Sequence, residues 1–119
     1  MYSFNTKYNK NTTNIFKILL DDGIKTKIVF ISLYLIKGYW YLDIRDDKQN
    51  NILIGRKITS YTDVLKVIKY RDKDFPNVEL RALPINVHGF NTEFLEDVAG
   101  VLQDLMVITN EWYKKYFMG

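Results

Sequence analysis

The 119-residue chain contains no cysteine. Disulfides, thiolate metal centres and cysteine nucleophiles are therefore excluded at once. Its single histidine, His88, rules out a metal site built from several imidazoles. A serine–histidine–carboxylate site would have to use that one ring, and no motif around it raises it above an ordinary loop histidine. The glycines are scattered and form neither GxGxxG nor GxxxxGK, so no loop is built to cradle phosphate. Paired acids occur at Asp21–Asp22, Asp46–Asp47 and Glu96–Asp97. The first two fall in turn-forming stretches, where Asp is favoured because its carboxylate bonds the nearby backbone, and no EF-hand spacing surrounds them. The expectation is a protein that is not an enzyme, with no cofactor and no metal.

Charge is not concentrated either. Seventeen basic and fourteen acidic residues leave a net +3, and the lysines are dispersed without a basic tail. The longest apolar run, Ile28–Ile36, is about half of what a membrane helix requires, and Ser32 interrupts it. No membrane partner is expected. The opening MYSFNTKYNKNTTN lacks the apolar region of a signal peptide. Synthesis and retention in the cytoplasm are expected unless an assembly carries the protein elsewhere.

What the chain does have is apolar residues at 47% and aromatics at 15%, tyrosine foremost with nine copies. Such enrichment suits strands and protein interfaces alike. The length fits one domain with a real core. Residues 1–14 are polar and read as a flexible arm, whose rings Tyr2, Phe4 and Tyr8 could alternatively order on a neighbouring subunit. Residues 15–119 read as a single β-rich domain ending in an aromatic tail.

Within that domain the strand signals are strong. Ile15–Leu20 alternates, with Phe16, Ile18 and Leu20 on one face and Lys17 on the other. Asp21–Asp22–Gly23 is a hairpin signal, because Gly accepts positive φ without strain. Lys25–Leu35 follows, apolar on both faces: Val29, Ile31, Leu33 and Leu35 against Ile28, Phe30, Ser32 and Tyr34. A strand of this kind is covered on both sides, and the sequence leaves open which face is core. Lys37–Gly38 breaks the run before Tyr39–Arg45, where Trp40, Leu42 and Ile44 point to the core and Tyr41, Asp43 and Arg45 away. Ile52–Ile58 is a further strand in which Gly55 suggests a bulge or close backbone approach.

One short helix is predicted over about 62–70, with Val64, Leu65, Val67 and Ile68 at helical spacing. Thr62 or Ser60 is the expected cap, and Asp63 suits the positive end of the helix dipole. Val78–Pro84 returns as strand. The last third is divided: Phe94, Leu95, Val98, Val101, Leu102, Leu105 and Met106 fit an amphipathic helix, whereas Gly100 and the β-leaning Leu105–Thr109 do not. Trp112, Tyr113, Tyr116 and Phe117 close the chain, and four rings belong against the domain or a partner rather than in water.

Two function classes remain. A small basic β-barrel that binds single-stranded nucleic acid would stack bases on exposed rings in a basic groove. Against it, Trp40 alternates into the core, and Tyr39 and Tyr41 have Asp43 and Arg45 as neighbours. The second class rests on a resemblance. The Asp–Gly hairpin, GYWYLDIRD at Gly38–Asp46, ILIGRKIT at Ile52–Thr59, TDVLKVI at Thr62–Ile68, VELRAL, and Gly100 ahead of LMVIT at Leu105–Thr109 together resemble the small plug proteins of contractile phage tail baseplates, over about Ile15–Thr109.

The resemblance implies a compact, mainly antiparallel β-barrel or sandwich with one short helix, and a strand at about Leu102–Thr109. It implies a structural subunit of a phage tail or tail-like particle, assembled in the host cytoplasm. Its neighbours would be hub, tube and spike proteins, and it would help close the tube axis. Homo-oligomers are expected, with Ile28, Phe30, Tyr34, Trp112 and Tyr116 as candidate subunit-interface residues.

Overall fold

Three tight connections divide the first half of the chain into a meander. In the computed structural model, which describes residues 2–3, 11–59, 62–84 and 103–109, the strands are β1 (Tyr2–Ser3), β2 (Asn14–Asp21), β3 (Thr26–Ile36), β4 (Tyr39–Asp46), β5 (Asn51–Lys57), β6 (Val78–Pro84) and β7 (Gln103–Thr109), with a helix α1 at Lys66–Arg71. β2-β3-β4-β5 form one antiparallel sheet in sequence order, and β1-β7-β6 form a second. The two are separate hydrogen-bonded sheets around a shared core, so the mainly β expectation resolves to a sandwich and not a closed barrel.

Each connection has a local chemical cause. Between β2 and β3, Asp22 accepts the backbone N–H groups of Ile24 and Lys25 at 2.8 and 2.6 Å, Asp21 accepts that of Gly23 at 2.8 Å, and Gly23 takes φ 88°. Between β3 and β4 only Lys37 and Gly38 intervene, with φ 51° and 86°, flanked by the paired Ile36 and Tyr39. Positive φ at both central residues is the turn whose twist matches the flanking strands. Gly38→Ala is expected to cost about 1 kcal/mol through left-handed strain alone, since no atom lies within 4 Å of the added Cβ. Urea denaturation with an unchanged m-value would check it. Between β4 and β5, Asp46 accepts N–H groups of Lys48 and Asn50.

Gly55 does mark an irregularity. The β4–β5 register shifts between Leu42 and Ile44 and again between Ile44 and Arg45, and Gly55 sits at φ 70° with its N–H donated to Asp43 at 2.7 Å.

The core settles the faces of β3. Val29, Ile31 and Leu33 are fully buried, as are Leu20, Trp40, Leu42 and Ile44 beside them. From the other sheet Val78, Leu80, Ala82, Leu105 and Val107 pack into the same core, and Val64, Leu65, Ile68 and Phe75 close one end. The alternation of period two decides this directly, because cross-strand partners Ile18↔Val29, Ile31↔Ile44 and Leu33↔Leu42 share a face.

The divided last third resolves over Gln103–Thr109 to strand, against the helical periodicity. As the middle strand of its sheet, β7 pairs with β6 along its whole length and with β1 at Met106 and Val107, and Leu105 and Val107 point to the core while Ile108 is buried from the other side. That satisfied backbone outweighs the spacing of Val101, Leu102 and Leu105. The rest of the helical pattern, at 91–102, lies outside the described residues.

The helix is shorter than the predicted 62–70, and its expected cap is absent. Leu65 is the N-cap and makes no side-chain capping bond, and Ser60 lies outside the described residues. Asp63 does not stay at the helix end as a surface charge. It turns inward, nearly buried, where Oδ1 accepts the N–H groups of Leu65 and Leu80 at 3.0 Å each and Oδ2 meets Lys69 Nζ at 2.8 Å. Lys69 Nζ also donates to the Val78 carbonyl at 2.9 Å, and Val64 N–H to the Leu80 carbonyl at 3.0 Å. Asp63 thus ties α1 to β6.

A second tether joins the first hairpin to the segment after α1. Asp22 Oδ2 accepts the Asn77 N–H at 2.8 Å, and Lys25 Nζ donates to the Lys73 carbonyl at 2.6 Å. Accepting the Asn77, Lys25 and Ile24 N–H groups holds the Asp22 carboxyl down at about 2. A depressed native pKa adds stability above the unfolded value near 4, and that stability is lost as pH falls from about 4 toward 2. The Asp22→Ala variant is expected to be the less stable at pH 6, with the difference shrinking across that window. Urea titrations at pH 2–6 measure it.

Candidate functional site

The face of the β2–β5 sheet turned away from the core is the surface with unspent apolar character. Alternation dictates its members. In β3 it carries Ile28, Phe30, Ser32 and Tyr34; in the paired β2 strand, Ile15, Lys17 and Leu19; in β4, Tyr39, Tyr41, Asp43 and Arg45. Ile15 is 67% exposed, Leu19 53% and Ile28 37%. Leu19 stands directly opposite Ile28, and Phe30 opposite Lys17, whose Nζ lies 6.0 Å from its ring centre. Three exposed aliphatics beside a half-buried Phe form a contiguous strip, which solvent alone does not favour.

Toward β4 and β5 the same face becomes aromatic and polar. Tyr34 and Tyr41, opposite one another, stack with centroids 6.1 Å apart and planes 15° from parallel. Tyr34 donates its hydroxyl to Asp43 Oδ1 at 2.9 Å, the oxygen that also receives the Gly55 N–H, and Arg45 sits 3.6 Å from Asp43 Oδ2. Burial, then the bond and charge of Asp43, push the Tyr34 hydroxyl up to about 12. It therefore stays protonated, a fixed donor that positions its ring. Lys57 places its ammonium 3.8 Å over the Tyr39 ring. An apolar strip bordered by tyrosine, Arg and paired charge has the make-up of a protein-binding patch.

Of the residues expected at an interface, Ile28, Phe30 and Tyr34 share this face. Trp112 and Tyr116 lie outside the described residues, as does His88. Ile15 and Leu19 were missed as partners of the strip. The signal for them was present: they share a face with Lys17, and the Asp–Gly hairpin sets them beside β3. For nucleic acid the surface is poor. Trp40 is buried, and Asp43 lies amid the tyrosines where a phosphate backbone would run.

Among the described residues, no group of three or more His, Asp or Glu side chains could hold a metal ion. The turn carboxylates are engaged by their own backbone: Asp22 as above, and Asp46, held below the usual carboxylate range by the Asn50 N–H.

The family model described as cyanophage baseplate Pam3 plug gp18 matches residues 1–110. The chain belongs to this baseplate plug family. Comparison with curated proteins and with solved structures gives no match. Membership places this plug-family protein in the phage tail baseplate and implies interaction with other baseplate proteins. The match extends through β7 and covers every described strand and the helix.

Proposed function

We propose that this plug-family chain is a non-catalytic structural subunit at the axis of a contractile phage tail or tail-like particle. There it contacts hub, tube and spike proteins and helps close the tube. Copies of the chain associate with one another through the outer face of the β2–β5 sheet, with Ile28, Phe30 and Tyr34 in the contact. The observation that carries this reading is the strip of exposed Ile15, Leu19 and Ile28 beside half-buried Phe30, on a sheet whose other face is already committed to the core. A component placed on a symmetry axis needs self-complementary surface rather than a pocket. The hydrogen-bonded Tyr34–Asp43 pair gives that surface a fixed polar border.

Multi-angle light scattering of the purified chain tests it. A stable species of at least twice the 14.1 kDa chain mass is expected. A strict monomer that also fails to co-purify with any tail protein would count heavily against it.

A further inference from the structure

A second surface lies on the other side of β5, where α1 meets the sheet edge. Arg56, Thr62, Asp63, Lys66, Val67 and Tyr70 line an open groove of about 360 Å³. Its apolar contribution comes from Val67 and Tyr70, which are 40% and 79% exposed. Ile68, on the same helix, is buried in the core. The groove face of α1 is thus the face folding leaves over.

Its electrostatics are one-sided. Asp63 adds little negative charge to the groove, because its carboxylate is nearly buried and paired with the Lys69 ammonium at 2.8 Å. Arg56 and Lys66 are exposed and, among the described residues, form no ion pair. Lys73 adds a third cation 5.5 Å from the Tyr70 ring centre. Two exposed cations beside an apolar floor make a site for an apolar anchor with carboxylates next to it.

We propose that this groove docks an acidic segment of a neighbouring baseplate protein. One apolar side chain of that segment would lie on Val67 and Tyr70, and flanking Asp or Glu would pair with Arg56 and Lys66. This rests on the reading of the chain as a structural baseplate subunit and adds a hetero-partner site distinct from the self-associating sheet face. Single-stranded nucleic acid is the less favoured occupant, because the groove offers one ring, already beside Lys73, and not a row of stacking platforms.

The test places the photo-crosslinking residue p-benzoylphenylalanine at Tyr70, and in a parallel sample at Phe30, in cells producing complete particles, with cross-linked peptides read by mass spectrometry. At position 70 the expected product joins another baseplate protein at a segment with two or more carboxylates beside an apolar residue. Adding Arg56→Glu and Lys66→Glu together should reduce that product at least about tenfold, the change expected for losing one or two charge pairs across an interface. The melting temperature of the doubly substituted chain, whose altered side chains are exposed, should stay within a few degrees. Products only with nucleic acid, only with a second copy of this chain, or with no partner at position 70 overturn the proposal. So does an acidic-segment product that survives the charge reversal. Cross-links at position 30 between copies report on the sheet-face reading separately, whichever way position 70 behaves.

Discussion

Replacing Asp63 with alanine is expected to destabilise the domain by about 3 kcal/mol, the low end of what breaking a buried ion pair costs. The carboxylate satisfies two buried backbone donors, Leu65 and Leu80 N–H, and the Lys69 ammonium at 2.8 Å. Alanine leaves all three short of a partner at once. The cost falls at the low end because the Lys69 side chain keeps 20% of its surface in solvent and still has the Val78 carbonyl. For a domain of this size the melting temperature should drop by roughly 10 °C. Asp63→Asn, which keeps an acceptor oxygen for the two N–H groups but loses the charge, should cost about half as much. Denaturant titrations of both variants measure the difference. A loss under about 0.5 kcal/mol for Asp63→Ala, the size of an ordinary surface change, would show that the tether between α1 and β6 is dispensable.

The second large effect is expected in the other sheet, on β3, and on a different readout. Phe30→Glu should break the association of copies while leaving the monomer folded. A charge at the middle of an apolar contact should weaken association by about 2 kcal/mol or more, roughly thirtyfold. The folded monomer should lose far less, because Phe30 is only half buried and a carboxylate there can reach water and Lys17. Its neighbour Val29 provides the contrast. Val29 is fully buried on the opposite face, so Val29→Glu places an unpaired carboxylate in the core and should prevent folding. Adjacent residues with opposite outcomes are what a sheet with two committed faces requires. If Phe30→Glu unfolds the chain as Val29→Glu does, the outer face is core, and the sheet carries no interface.

The sequence exposed most of the strands and little of what joins them. β2 through β5 were legible because period-two alternation and turn residues agree: Asp22–Gly23 and Lys37–Gly38 fall where the backbone turns. Both faces of β3 were visibly apolar, and only the register to Ile18, Ile44 and Leu42 identified Val29, Ile31 and Leu33 as the inner set. The helix was displaced by the role of Asp63. Read locally, Asp63 is a helix-start residue; its partners Leu80 and Lys69 are set by tertiary packing that no window of sequence contains. β7 was ambiguous for the same kind of reason, since a central strand buried from both sides loses the alternation that distinguishes it from a helix. Arg56 and Lys66 could not be paired into one groove from sequence, because β5 and α1 meet only in the folded chain. Ile15 and Leu19, by contrast, needed only the hairpin register already in hand.

The most direct test of the structural role is a cryo-electron microscopy map of the intact tail particle at a resolution that traces strands. The chain is expected at the tail axis beside the hub and tube, with the outer face of the β2–β5 sheet, Phe30 at its centre, buried between copies. A map that puts the chain away from the axis, or leaves that face open to solvent in the assembled particle, would contradict it.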